Sequence, residues 1–271
     1  MGSSDIILAI GAFLFGAIVG SFINALSFRF NTGVKFFSPR GMGGRSRCMH
    51  CGHALSSIDL IPVISFLFLR GRCRYCDAKI SWQYPLVELL AALVSLLVYL
   101  THGGVFFLWF AVWMVLVFVV LYDLKHTVIP WSASGALAVL TFLSLFVSFD
   151  TLAISAPTLW QLLAGPILAL PLFLLSLVSR GTWMGWGDSG LELSLGWMLG
   201  LSAGLTALCL SFWIGAVVGL SLIALARFSG RAGFFRYTIK SEMPFAPFLI
   251  LGAALAFFFH VDFFSSLQTL F

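Results

Sequence analysis

Val105–Pro130 reads VFFLWFAVWMVLVFVVLYDLKHTVIP, and the fold follows from how that stretch ends. No charge interrupts residues 105–122, and about 20 apolar residues suffice to cross a bilayer as a helix. The run then stops on Asp123, with Lys125 and His126 close behind, and Ile129-Pro130 opens the next apolar run. A carboxylate in or beside hydrocarbon is costly, so one kept there is a functional candidate by default.

The rest of the chain repeats the pattern. Of its 271 residues 61% are hydrophobic and 9% are charged, with 29 Phe and 9 Trp. A soluble domain carries roughly 25% charged residues, so the chain reads as an all-α polytopic membrane protein. Eight runs are long enough to span: 6–28, 82–100, 104–122, 131–149, 157–178, 189–205, 207–226 and 247–267, with the sixth and seventh dividing near Ser202 to Gly204. Counted from an outside N-terminus, the inside segments 29–81, 123–130, 179–188 and 227–246 hold all fifteen Lys and Arg. Eight spans with both termini outside therefore satisfy the positive-inside rule. The first run is too long for a cleavable signal core and is expected to stay as an anchor. Three parts result: a first transmembrane helix over 1–28, a small cytoplasmic cysteine-rich segment over 29–81, and a membrane core over 82–271. The lipid bilayer is the expected partner, not nucleic acid. No internal repeat is apparent.

The segment 29–81 carries two C-x-x-C knuckles, Cys48/Cys51 and Cys73/Cys76, separated by the stretch from Gly52 to Arg72. Two thiolates at i and i+3 occupy two corners of a tetrahedron, and two knuckles complete a four-sulfur structural zinc site. A reducing cytoplasm disfavours disulfides there, and so small a module needs metal to fold. Redox or catalytic cysteines are the alternative. His50 and His53 read as neighbours of the site, and Cys209 as a small buried hydrophobe. Between the knuckles, IDLIPVISFLFL (58–69) is apolar but too short to span, which suits an interfacial or packed segment laying the module against the membrane surface.

Asp188 follows Gly185-Trp186-Gly187 and precedes the sixth span. Asp123 and Asp188 thus fall at the same side of the membrane. The glycines permit a sharp turn and a close backbone approach to an extended substrate. Asp188 lies at a helix N-terminus, which favours its ionised form, and Asp123 at a helix C-terminus, which does not. Two carboxylates in unequal surroundings can share a proton and activate water; helix-capping is the plainer reading of each. Glu88, inside YPLVELL, is an intramembrane acid that binds substrate or packs a helix, and with Asp59 it could attract the basic end of a substrate. Glu192 shares a helix face with Asp188. Asn24 reads as a helix-to-helix hydrogen-bonding group.

These motifs together resemble the bacterial type IV prepilin peptidases. GSFINALSFR (20–29) resembles the family's opening motif, and CMHCGHALSSIDLIPVISFLFLRGRCRYCDAKISWQYPLVELL (48–90) its cysteine-rich segment. YDLKHTVIP (122–130) resembles the first aspartate motif, WMGWGD (183–188) the GxGD motif, and MPFAPFLILGA (243–253) the entry to the last helix. The resemblance implies a GxGD aspartic intramembrane protease of the bacterial inner membrane, with Asp123 and Asp188 catalytic; Gly185, Gly187 and Glu88, read above from their positions, are the expected supporting residues. It implies cleavage of prepilin and pseudopilin leaders on the cytoplasmic side, after Gly and before Phe, in type IV pilus and type II secretion assembly. It further implies N-methylation of the new N-terminus with S-adenosylmethionine, although no Gly-rich methyl-donor fingerprint is present. The chain departs from the family at Gly190, where a lysine is usual, and at Trp131, where a polar residue is common. A peptidase without methyltransferase activity, and a non-catalytic scaffold or ion-coupled transporter, are the competing readings; a carrier places its charges near the bilayer midplane.

Overall fold

A computed structural model describes residues 2–30, 46–147, 155–228 and 243–266. Lys35, Arg40, Arg45, Arg231, Arg236 and Lys240, used in the charge count, lie outside the described residues. The described residues contain helices and no strand longer than a single bridge. In chain order they are α1 (Ser3–Arg29), α2 (Ile64–Phe68), α3 (Gln83–His102), α4 (Phe106–His126), α5 (Trp131–Ser144), α6 (Leu159–Val178), α7 (Trp186–Phe228) and α8 (Ala246–Phe259). Four continuous helical stretches are long and apolar enough to cross a membrane: Ser4–Arg29, Gln83–His126, Leu159–Val178 and Trp186–Leu225. The second is α3 and α4 joined through a tight turn at Gly103–Val105. The fourth is broken at Gly200, whose φ of 77° and ψ of −179° are not helical.

With α7 counted as two halves and the five-residue α2 set aside, eight apolar helices appear among the described residues, as expected from the sequence, but three boundaries differ. The sixth and seventh divide at Gly200, the residue with the conformational freedom to leave the helix. The helices α5 and α8 have 14 residues each, roughly 21 Å at helical rise, short of the ~30 Å hydrocarbon core. Helix α8 stops because His260 turns left-handed, at φ 52°.

The chain divides into two compact units within α4, at Phe118/Val119. In the first, α1 packs on α3 through Gly16 and Gly20. A Cβ on Gly16 would meet Ser95 and the Ala91 carbonyl, and one on Gly20 would sit 2.6 Å from Ala91 Cβ. Small residues four apart let two backbones approach where lipid offers no hydrophobic drive. Ser95 Oγ donates to the Ala12 carbonyl (2.7 Å), and Gln83 Nε2 to Asn24 Oδ1 (3.0 Å), so Asn24 does join two helices.

In the second unit α7 is central. Its first half meets α6 where a Cβ on Gly196 would lie 2.8 Å from Gly165 Cα, and Trp197 Nε1 donates to the Leu162 carbonyl (3.0 Å). Its second half meets α8 at Gly252, where any side chain would strike the Ala207 carbonyl and Ser211. Just beyond the Gly200 break, Ser202 Oγ and Thr206 Oγ1 donate to the carboxylate of Asp262 (2.7 and 3.2 Å), which follows α8.

Candidate functional site

Asp123 and Asp188 both belong to the second unit, and both are buried, with 4% and 8% of their surface exposed. Asp123 occupies the last turn of α4, closed by Thr127 in the left-handed region (φ 51°) with its N–H on the Asp123 carbonyl (2.7 Å). Asp188 is the third residue of α7, and its Oδ2 accepts the backbone N–H of Gly185 (3.2 Å), the residue that precedes the helix. That is half of a capping box. Each carboxylate is thus buried and held at the end of its own helix.

Three local features bring them together. The loop between α6 and α7 turns back through Arg180 and Gly181, both with positive φ, and Ser176 Oγ on α6 holds the Gly185 carbonyl (3.2 Å). Gly187 presses on the α4–α5 connection: a Cβ there would sit 2.7 Å from Ile129 Cβ. The first aspartate motif and the GxGD loop are therefore in van der Waals contact, and the close approach Gly187 permits here is to Ile129. Finally, Asp123 Oδ2 accepts the backbone N–H of Ala246 (3.2 Å), the first residue of α8. The sequence places Asp123 only at a helix C-terminus; in the structure its carboxylate also faces the N-terminus of a second helix, where partial positive charge offsets the cost of an anion. Both aspartates are thus held on backbone amides at helix N-termini, and the sharp asymmetry expected from α4 and α7 alone is reduced.

The departure at Gly190 has a steric basis, because a Cβ there would lie 2.9 Å from Ser134 Oγ on α5. Trp131 stands at the first position of α5, 78% exposed. Glu192, one turn beyond Asp188, is 2% exposed.

The first unit holds the cysteine cluster. The Sγ atoms of Cys48, Cys51, Cys73 and Cys76 all lie within 4.8 Å of one another, and Cys48 and Cys76 are 3.8 Å apart. Sulfurs at ~2.3 Å from a tetrahedral zinc are about 3.8 Å apart, whereas a disulfide requires about 2.05 Å. The set fits a four-coordinate metal, and all four cysteines are free of disulfides. The two knuckles are built alike. In each, the first cysteine's N–H reaches the carbonyl five positions on (His53, Ala78; 2.9 Å), and the residue four on returns its N–H to that cysteine's carbonyl (Gly52 2.9 Å, Asp77 3.0 Å). Gly52 and Asp77 share positive φ, 70° and 56°. The five-residue pattern Arg-Cys-x-x-Cys, at 47–51 and 72–76, carries this shared geometry. The backbone amides of Cys51 and His50 pull the Cys48 thiol down to about 6. The Ala78 amide acts in the same sense on Cys76, but burial and the three neighbouring sulfurs outweigh it and push that thiol up to about 12. Four thiolates cannot gather without a cation to offset their charge.

Glu88 and Asp59 both have structural partners. Glu88, buried on α3, accepts the Val63 N–H (2.7 Å). Asp59 pairs with Arg74 (2.9 Å) and accepts from Ser56 Oγ (2.7 Å) and Tyr75 Oη (3.2 Å), with its side chain 2% exposed. It fastens the segment between the knuckles to the second knuckle.

Residues 14–102 match the model of the Bacterial Peptidase A24 N-terminal domain, which covers the α1–α3 region with both knuckles. The chain is 32% identical to a prepilin leader peptidase/N-methyltransferase of Aeromonas hydrophila, over 90% of this chain and 88% of that protein. It is 30% identical to the protein of the same name from Bacillus subtilis (strain 168), over 91% and 92%, and 30% identical to that from Burkholderia pseudomallei (strain K96243), over 93% and 86%. No solved structure matches it significantly. A chain this similar over nine-tenths of its length, carrying the two aspartate motifs and the paired knuckles, belongs to the prepilin leader peptidase/N-methyltransferase family.

Proposed function

We propose that the chain is an aspartic endopeptidase that removes prepilin and pseudopilin leaders, with Asp123 and Asp188 as its acid–base pair. One observation carries this reading: two buried carboxylates belong to motifs far apart in sequence that touch at Gly187 and Ile129, each carboxylate oriented by a backbone amide. In the reaction one carboxylate takes a proton from water as the oxygen attacks the scissile carbonyl. The other carboxyl gives its proton to the leaving amide nitrogen. The amides of Ala246 and Gly185 keep the two oxygens aimed while the proton moves.

Supporting residues take distinct parts. Gly187 allows the two motifs to touch, Gly185 supplies the amide for Asp188, and Glu88 stabilises the first unit by binding Val63. The four cysteines would hold a structural Zn2+, which would tie the two knuckles into one module. The positive-inside count puts both aspartates and the metal module on the cytoplasmic side of the bacterial inner membrane, with both termini outside. Cleavage after Gly and before Phe follows from the family resemblance. The relatives' names also suggest methyl transfer from S-adenosylmethionine to the new N-terminus; none of the described side chains is assigned to the methyl donor.

The test is incubation of the full-length protein with a prepilin, reading cleavage and N-methylation separately by mass spectrometry. Asp123→Asn and Asp188→Asn are each expected to abolish cleavage in protein that remains folded in the membrane. Cleavage by either variant within tenfold of the unaltered rate would remove that residue from the mechanism.

A further inference from the structure

The segment between the two knuckles presents an apolar face that nothing among the described residues covers. Ile58, Ile61, Ile64, Leu67 and Phe68 are exposed, the last at 84%. Phe66 alone turns inward, against Gly71 and the ring of Trp82 (4.9 Å between centroids). An isolated exposed apolar residue needs no explanation, but a contiguous set does.

Two anchors fix where this face lies. Trp82 immediately precedes α3 and is itself exposed, as are Leu86, Leu89 and Leu93. The spacing 82, 86, 89, 93 puts all four on one face of a helix, so Trp82 tops the lipid-facing stripe of α3. The second anchor is the Val63 N–H on Glu88 (2.7 Å). Glu88 lies six positions beyond Trp82, about 9 Å along the helix axis. The chain at Val63 is therefore fastened to the second turn of a membrane-spanning helix, below its entry point. Hydrogen-bonding the Val63 amide to a buried carboxylate also satisfies a donor that would be costly to leave bare at that depth.

Charge agrees with this placement. Arg70, Arg72, Arg74 and Lys79 follow the apolar face directly and are exposed, and residues 46–82 carry five basic side chains against two acidic. An apolar face backed by cations is the pattern of an element lying in the headgroup–acyl boundary of an anionic leaflet.

We infer that Ile58–Leu69 is an interfacial membrane anchor, embedded in the leaflet beside α3, whose occupant is phospholipid. Through Asp59, which pairs with Arg74 and Tyr75, it holds the metal-binding module at a fixed height on the bilayer. The inference rests on the membrane-spanning fold and not on the proposed peptidase chemistry.

The experiment places p-benzoylphenylalanine at Phe68 in the full-length protein, reconstituted in nanodiscs of phosphatidylethanolamine and phosphatidylglycerol. Irradiation is followed by intact-mass spectrometry. The same probe at Met49, exposed on the first knuckle and outside the apolar face, is the comparison. Lipid adducts at position 68 at least fivefold above those at position 49 are expected, and Leu67 labelled in the same way should match Phe68. Equal yields at 68 and 49, or crosslinks from 68 and 67 to a second copy or to the same chain in place of lipid, would overturn the inference. Replacing phosphatidylglycerol with phosphatidylcholine should lower the yield at 68 by at least twofold; no change would remove the electrostatic part.

Discussion

Replacing Ala246 with its α-hydroxy analogue, lactate, deletes one N–H and nothing from the side chain. That N–H is the donor to Asp123 Oδ2. A hydrogen bond to a charged group contributes about 1.5–3 kcal/mol, and 3.2 Å is the long edge of the N–H···O range. The lower end, about 1.5 kcal/mol, corresponds to roughly a tenfold fall in kcat for prepilin cleavage if the bond aims the carboxylate in the transition state. KM should change little, since the amide is bonded to Asp123, the proposed acid–base group. The ester also weakens the Phe245 carbonyl, which accepts the N–H groups of Phe248 and Leu249 (3.0 and 3.2 Å). The control is therefore the same replacement at Leu251, an exposed residue within α8. It damages helix hydrogen bonding comparably and should leave kcat within twofold. An Ala246 ester with normal kcat, or a Leu251 ester that is equally slow, would refute the assignment of α8's first amide to Asp123.

Elemental analysis of freshly purified protein should give one zinc per chain, and Cys48→Ser or Cys73→Ser should lower that content more than tenfold; no zinc, or a disulfide among the four, would contradict the site. Gly252→Ala should destabilise the protein by about 1–3 kcal/mol, because the new methyl meets the Ala207 carbonyl, which cannot rotate away; unchanged thermal stability would show that α7 and α8 are not in that contact. Gly190→Ala should cost under about 1 kcal/mol, since Ser134 Oγ can change rotamer, and adding Ser134→Ala should recover it. Asp59 has its carboxyl held low: burial opposes ionisation, but the Ser56, Arg74 and Tyr75 contacts outweigh it. Its stabilising contribution is present above the unfolded value of about 3.9 and is lost as pH falls through the lower folded value. Asp59→Asn should therefore weaken the module at pH 7, with the difference from the unaltered protein vanishing in acid; a difference that persists undiminished at low pH would count against the ionic pairing.

The spans are legible in the sequence because hydrocarbon thickness sets a length that apolar runs must meet, and the cysteines because four-sulfur coordination fixes their spacing. What stays hidden is mostly backbone. The partner of Asp123 is a main-chain amide on a distant helix, and every residue but proline carries such a group; only the prolines of MPFAP, Pro244 and Pro247, mark a helix start there. Gly187 offers room for a substrate on sequence alone, because nothing in the motif reveals that Ile129 fills the space. Gly16-Ala-Ile-Val-Gly20 has the spacing of a packing stripe but sits inside a uniformly apolar run, where one small-residue pair does not stand out. Glu88 and Asp59 look like ligand-attracting acids until the segment between the knuckles folds back and brings a Val63 amide and an Arg74 guanidinium beside them.

The break at Gly200 uncouples two rotations. In an uninterrupted helix each residue advances by about 100°, so the direction in which Asp188 points would be dictated by the direction Ser211 must take to receive Gly252, several turns further on. Leaving the helix at one residue resets that angle. The leading half of α7 can then be set for the carboxylate, and the trailing half for its fit to α8, without either compromising the other. A change of packing in the trailing half can thus be absorbed at a single glycine before it reaches Asp188.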